Sequence, residues 1–212
     1  MKNSPLFFLC LFGALALSWT ALVLGTNAQY GSLAPYADAN EGAAFPQAAP
    51  GQAARGRQVY QDLGCAACHT QQVRRAGFGS DNARGWGERQ SVARDYVHQD
   101  RVLLGDSRTG PDLANFGARA AAAGLAPARI YELLRQGRGM MPPSAYLFES
   151  RRITGQRSSK ALALPDLPAG WETLPTPRAE ALAAYLLSLK TDHDYPETQL
   201  PAAPAAAKEA KK

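Results

Sequence analysis

Gly64-Cys65-Ala66-Ala67-Cys68-His69 is the stretch on which the reading of this chain turns. Two cysteines separated by two residues and followed at once by histidine form the Cys-x-x-Cys-His sequence that attaches haem covalently. The spacing has a physical reason. On a tight turn each thiol can add to one of the two vinyl groups of a single porphyrin, and the adjacent imidazole then faces the iron from the same side. A thioredoxin-like redox pair belongs at a strand-to-helix junction, whereas here a helical pattern and Gly64 precede the first cysteine. A zinc site lacks the second Cys/His pair expected at metal-ligand spacing. With three cysteines and three histidines in 212 residues, neither a disulfide framework nor several metal sites can be built.

Upstream of the motif, Gln52 to Leu63 places Val59, Tyr60 and Leu63 at helical spacing, and Gly64 ends the helix. Downstream, Pro127 to Gln136 carries Ile130, Leu133 and Leu134 on one face, with Pro at its start and Gly137 at its end. A third helix is predicted over Pro177 to Lys190, where Thr176 can cap and Leu182, Tyr185, Leu186 and Leu189 form one stripe. Alanine fills 40 positions and aromatics only 8% of the chain, which disfavours a large sheet core. The fold class expected is all-α. Two intervening stretches read as loop: residues 70–118, rich in glycine, and residues 142–176, with Pro142, Pro143, Pro165, Pro168 and Pro175. Such long loops need something to fold around, and a large buried cofactor would supply it.

Leu6 to Gly25 is 20 residues without a charge, and at about 1.5 Å per residue it spans roughly the 30 Å hydrocarbon core. It is too long for the apolar region of a cleaved signal peptide, although Thr26-Asn27-Ala28 is a passable cleavage site. Cys10 within it reads as a small hydrophobe. The expected division is a membrane anchor over residues 1–25, an Ala/Gly/Pro-rich tether over 26–51, one domain over 52–194 and a disordered tail over 195–212. Lys2 precedes the span and no Lys or Arg follows until Arg55, so the bulk of the chain is expected outside the cytoplasm. Attachment of c-type haem on the outer side of the bacterial inner membrane agrees with that topology. Residues 52–160 carry a net +8 and residues 161–212 a net −2, with arginines interleaved among acids. That distribution excludes a nucleic-acid stripe.

A second axial ligand follows by elimination. Apart from Met1 the methionines are Met140 and Met141, and the other histidines are His98 and His193. Glycines in Gly137-Arg138-Gly139-Met140-Met141-Pro142-Pro143 permit close approach to a flat ring. Met141 is preferred, because the following proline rigidifies its backbone. His98 and His193 sit in polar settings and are expected on the surface. An axial histidine needs its other ring nitrogen held, and Pro111 in Gly110-Pro111-Asp112-Leu113 offers a carbonyl, with an ordinary turn as the competing reading. Trp86, Arg84, Arg89 and Arg108 are the expected donors to the haem propionates. His/Met ligation closes both axial positions, which favours electron exchange over oxygen binding.

Val59-Tyr60, Cys68-His69-Thr70-Gln71-Gln72-Val73-Arg74, Gly85-Trp86-Gly87, Ser91-Val92-Ala93, Arg108-Thr109-Gly110-Pro111-Asp112-Leu113 and Met141-Pro142-Pro143, in this order behind one apolar span, resemble the monohaem cytochrome c subunit, subunit II, of cbb3-type cytochrome c oxidases. The resemblance implies a class I cytochrome c domain with one haem c on Cys65 and Cys68 and His69 and Met141 as axial ligands. It also implies a single-pass protein of the bacterial inner membrane with its cytochrome domain on the periplasmic side. Its partners would be a catalytic haem–copper subunit, a dihaem cytochrome c subunit and a cytochrome electron donor. Such a subunit relays electrons and is not catalytic on its own. Two departures stand out: the segment from Leu125 to Met140 is short and lacks a His-rich helix, and Ser144 follows Met-Pro-Pro in place of an aromatic residue. A free-standing anchored electron shuttle is the alternative, and a haem enzyme or gas sensor a second.

Overall fold

The computed structural model describes residues 3–164 and 167–198. Met1, Lys2, Pro165 and residues 199–212 of the expected tail lie outside them. The chain divides into two units at Phe45/Pro46. In the first, helix α1 (Ser4–Tyr30) is long and apolar enough to cross a membrane. It includes one π-helical turn at Thr20–Leu24 and buries none of its side chains within the chain. This is compatible with a single-pass anchor. The helix runs five residues beyond Gly25 into the stretch expected as tether. Strands β1 (Tyr36–Asp38) and β2 (Ala43–Phe45) then pair antiparallel, their turn fixed by Asp38, whose carboxylate accepts from Asn40 N at 2.7 Å.

The regular structure described in the second unit is mostly helical: α2 (Gly51–Asp62), α3 (Phe116–Ala122), α4 (Pro127–Gln136) and α5 (Pro177–Ser188), with long irregular segments between α2 and α3 and between α4 and α5 that include short 3₁₀ turns. Helix α2 lies against α5, and the reason they meet so closely is Gly56. A Cβ there would stand 1.8 Å from the carbonyl oxygen of Ala181 and 2.7 Å from Tyr185 Cβ. Beside this crossing Tyr60 and Tyr185 pack edge to face, ring centroids 5.4 Å apart. Val59, Leu182 and Leu186 continue the same core, which Ile130 and Leu134 reach from α4. Pro177 begins α5 and Thr176 caps it, its hydroxyl accepting from Ala179 N at 3.4 Å while donating to Leu147 O at 2.9 Å.

An all-α description is incomplete. Strands β3 (Phe148–Arg152) and β4 (Trp171–Pro175) form an antiparallel hairpin inside the proline-rich stretch that reads as loop. It is stabilised by a polar interior: Glu172 is buried and its carboxylate accepts from Arg151 Nε at 2.8 Å and Ser158 N at 2.7 Å. The apolar alternation that marks a strand is therefore missing. The first residues of the expected tail are also ordered. Tyr195 is buried under the guanidinium of Arg89, 4.9 Å from its ring centroid, and Arg94 pairs with Glu197.

The helix crossing yields a prediction. At an exposed helical site Gly→Ala stabilises by about 1 kcal/mol. Gly56→Ala instead forces backbone against backbone, and is expected to lower the unfolding free energy by about 3 kcal/mol in denaturant titrations. A neutral or stabilising Gly56→Ala would show that α2 and α5 do not cross this closely.

Candidate functional site

The two cysteines and the histidine are presented by one turn. After α2, Gly64 takes the left-handed conformation at φ 67°, which a residue with a side chain rarely adopts. The chain then closes a 3₁₀ turn, Cys65–Ala67, with Cys68 N and His69 N both donating to Cys65 O at 3.2 and 3.0 Å. Cys65 is half-buried against the core and Cys68 is exposed. Burial pushes the Cys65 thiol up to about 11. The motif follows α2 and Gly64 and not a strand, so it does not sit at the strand-to-helix junction where a thioredoxin-like pair belongs.

His69 is held from behind. Its Nδ1 lies 2.8 Å from the carbonyl oxygen of Pro111, a contact that makes Nδ1 the donor and leaves the ring's lone pair on Nε2. Two glycines make room for it. A Cβ on Gly110 would stand 2.3 Å from His69 Cε1, and one on Gly105, at φ 90°, would stand 2.4 Å from His69 O. The segment bearing them runs alongside the motif. Asp106 N donates to Ala66 O at 2.9 Å, Gly110 N to Cys68 O at 2.8 Å, Leu113 N to Thr70 O at 2.8 Å, and Gln71 N to Leu104 O at 3.0 Å.

The arginines named above as propionate donors all have protein partners. Arg108 donates through Nη1 to Asp81 Oδ2 and through Nη2 to Gln72 O, each at 2.6 Å, with its guanidinium 5.9 Å from the Trp86 ring centroid. Arg84 covers the same half-buried ring at 4.9 Å. Arg89 belongs elsewhere: it forms a paired contact with the Asp95 carboxylate at 2.7 and 2.9 Å and donates to His193 O. Asp81, fully buried, also accepts from the backbone and guanidinium of Arg74, each at 2.8 Å. Burial alone would raise its carboxyl. The Arg74 and Arg108 contacts prevail and hold it down at about 2.

In the loop after α4, Arg138 and Met141 exchange backbone hydrogen bonds at 3.1 and 3.0 Å, so Arg138-Gly139-Met140-Met141 is a tight turn with Gly139 at φ 58°. That turn separates the two methionines. Met140 is thrown outward, 83% exposed, whereas Met141 is half-buried against the same core cluster that takes Cys65 and Ala66. Gly137 permits this, since a Cβ there would lie 2.4 Å from Met141 O. His98 is exposed, its Nε2 3.0 Å from Pro46 O. His193 is half-buried, a departure from its expected surface setting, with its ring edge-on to Tyr195 at 5.3 Å.

This donor set fits a haem: two thiols on one turn, an imidazole with a single nitrogen turned to ligation, a thioether on the same core and a glycine where any side chain would strike the imidazole. Asp112 and Asp81, which gather these segments, were not predicted. In sequence each is an acid in a glycine-rich loop, and the only signal is Asp112 directly after Pro111.

The Asp81 cluster predicts an acid limb. A carboxyl whose folded pKa lies near 2, below the unfolded value of about 4, contributes stability that is complete above pH ~4 and is lost as pH falls toward 2. Asp81→Asn should remove this limb from thermal melts recorded against pH and lower neutral-pH stability by about 2 kcal/mol. An unchanged acid limb would contradict the cluster.

A search of curated proteins finds no match to the chain. Residues 50–167 match the family described as cytochrome c oxidase, mono-haem subunit/FixO. The match spans the whole haem-motif turn, the Pro111 segment and the Met141 turn, and covers more than half of the chain. The chain belongs to the FixO family of mono-haem cytochrome c oxidase subunits.

Proposed function

We propose that this chain carries one covalently attached haem c and passes electrons one at a time to the catalytic haem–copper subunit of a cbb3-type terminal oxidase. The observation that carries the reading is the His69 imidazole, set on the Cys65–Cys68 turn with Nδ1 on the Pro111 carbonyl, within a chain of this family. Cys65 and Cys68 would bind the vinyl carbons, and His69 Nε2 and Met141 Sδ the iron. The haem supplies the one-electron couple. The chain's own residues do the rest. Pro111 fixes the imidazole tautomer, Gly110 clears the space beside it, and Met141, rather than exposed Met140, is the thioether turned inward. Trp86, with Arg108 and Arg84 at its ring, would line the propionate side, where Arg108 acts from its anchorage on Asp81.

The same reading assigns α1 as a single-pass anchor in the bacterial inner membrane with residues 52–194 as the cytochrome domain on the periplasmic side. The catalytic subunit and a dihaem cytochrome c subunit would be its standing partners, and a soluble or membrane cytochrome the donor. A chain that relays electrons in this way turns over no substrate by itself.

Affinity purification of the full chain from native membranes in mild detergent is expected to bring down haem b, copper and cyanide-sensitive oxygen uptake. Recovery of a lone haem c protein, with the oxidase left behind, would favour a free-standing shuttle. For the ligand, Met141→Ala should abolish the near-infrared methionine-to-iron charge-transfer band while Met140→Ala retains it. The reverse pattern would assign the iron to Met140.

A further inference from the structure

Asp112 has no exposed surface, yet it carries a carboxylate. Within an ordinary turn an aspartate accepts the N–H two residues on, and Asp112 Oδ1 does so from Ala114 N at 2.9 Å. Its second oxygen has a different use. Oδ2 reaches across to the haem-motif segment, accepting the Thr70 hydroxyl at 2.5 Å and the Gln72 backbone N–H at 2.8 Å. Thr70 directly follows His69, and Pro111 directly precedes Asp112. The Thr70–Asp112 bond and the His69–Pro111 bond are therefore neighbouring rungs between the same two segments, flanked by the backbone bonds Gly110 N to Cys68 O and Leu113 N to Thr70 O, both 2.8 Å.

The charge around this carboxylate is incompletely balanced. Arg108 approaches Asp112 Oδ2 only to 4.0 Å, because its hydrogen bonds go to Asp81 and Gln72 O. Arg119 donates to the backbone carbonyl of Asp112 at 2.7 Å and not to its carboxylate. Withdrawing a carboxylate from water costs several kcal/mol, and backbone and hydroxyl donors offset that cost without cancelling the charge. A negative charge is thereby fixed one residue past the Pro111 carbonyl to which His69 Nδ1 donates.

We infer that Asp112 is a positioning residue: it locks the Pro111 carbonyl onto His69 Nδ1 and, as a buried anion one residue past that carbonyl, biases an iron bound at Nε2 toward the ferric state. The inference rests on the reading of His69 as an axial ligand. Both contributions act in one direction. A firm Nδ1–H···O=C bond makes the imidazole a stronger electron donor, and a nearby negative charge stabilises the extra positive charge of ferric iron. A merely structural staple would add stability and leave the potential alone.

The test is a spectroelectrochemical titration of the full-length haem-loaded chain and its variants. The wild type comes first: a low-spin haem c spectrum is the condition that the proposed function sets, and its absence would refute that function, and this inference with it. Given a loaded wild type, Asp112→Asn is expected to shift the ferrous-to-ferric ratio at fixed potential by about tenfold toward ferrous, which for a one-electron couple is about 59 mV upward. Asp81→Asn removes the same charge one guanidinium further away and should produce less than half of that shift. Equal shifts, or no shift in Asp112→Asn, would overturn the inference while leaving the haem assignment standing. Thr70→Val keeps the carboxylate and nearly the shape of the side chain but removes the hydroxyl donor. It should displace the paramagnetically shifted haem methyl resonances, which report the orientation of the axial imidazole. If Asp112→Asn is recovered without haem, Thr70→Val decides: displaced resonances support the positioning role, and a spectrum like that of the wild type overturns it.

Discussion

The contact between His69 Nδ1 and the carbonyl of Pro111 is the constraint around which the second unit is organised. An imidazole on a short turn is free to rotate, and either nitrogen can carry the proton. A carbonyl acceptor fixed at 2.8 Å removes both freedoms at once. It holds only because the chain at 104–114 follows residues 65–72 at backbone distance, and that approach needs Gly105 and Gly110 to have no side chains. The local choice of residue and the tertiary pairing of segments thus depend on each other.

The helices carry this constraint rather than sit beside it. Tyr60 on α2 donates to His69 O at 3.3 Å and packs on Tyr185 of α5, whose own hydroxyl donates to Gln71 Oε1 at 2.9 Å. One aromatic pair at the helix crossing therefore grips the motif segment from two sides. Both hydroxyls act as donors, and burial of the two rings pushes their phenols further upward from an ordinary value already well above neutral. The crossing in turn requires Gly56, and α5 begins where Thr176 ties its own first turn to Leu147. Loss of close approach at Gly56 would loosen the histidine through these two hydroxyls without touching its ligands.

Three of the four helices among the described residues of this unit were legible because apolar residues recur at helical spacing and because Gly64, Pro127, Gly137 and Thr176 punctuate their ends. Helix α3 was not, since Phe116-Gly117-Ala118-Arg119 shows no stripe and its packing rests on Gly117 meeting the backbone of Leu187. The β3–β4 hairpin was hidden by its composition: Glu, Ser and Arg on one strand and a buried Glu172 on the other, a pattern that reads as loop until the distant partner is known. At the site the motif announced Cys65, Cys68 and His69, and the shortage of methionines narrowed the opposite side. The aspartates stayed silent because an acid in a glycine-rich loop looks like a turn former. Only the fold shows that Asp81 and Asp112 bind segments far apart in sequence, and that Arg108, expected to be free for a ligand, is first spent on Asp81.

The central claim is that the Cys65–His69 turn holds a haem by covalent bonds, with the imidazole fixed by Pro111. The most direct measurement is the intact mass of the polypeptide purified from native membranes, taken after acid–acetone extraction. The account predicts a mass exceeding that of the polypeptide by one haem, retained through extraction and lost when Cys65 and Cys68 are both replaced by alanine. A mass equal to that of the bare polypeptide, or haem that extracts freely from the native chain, would contradict it.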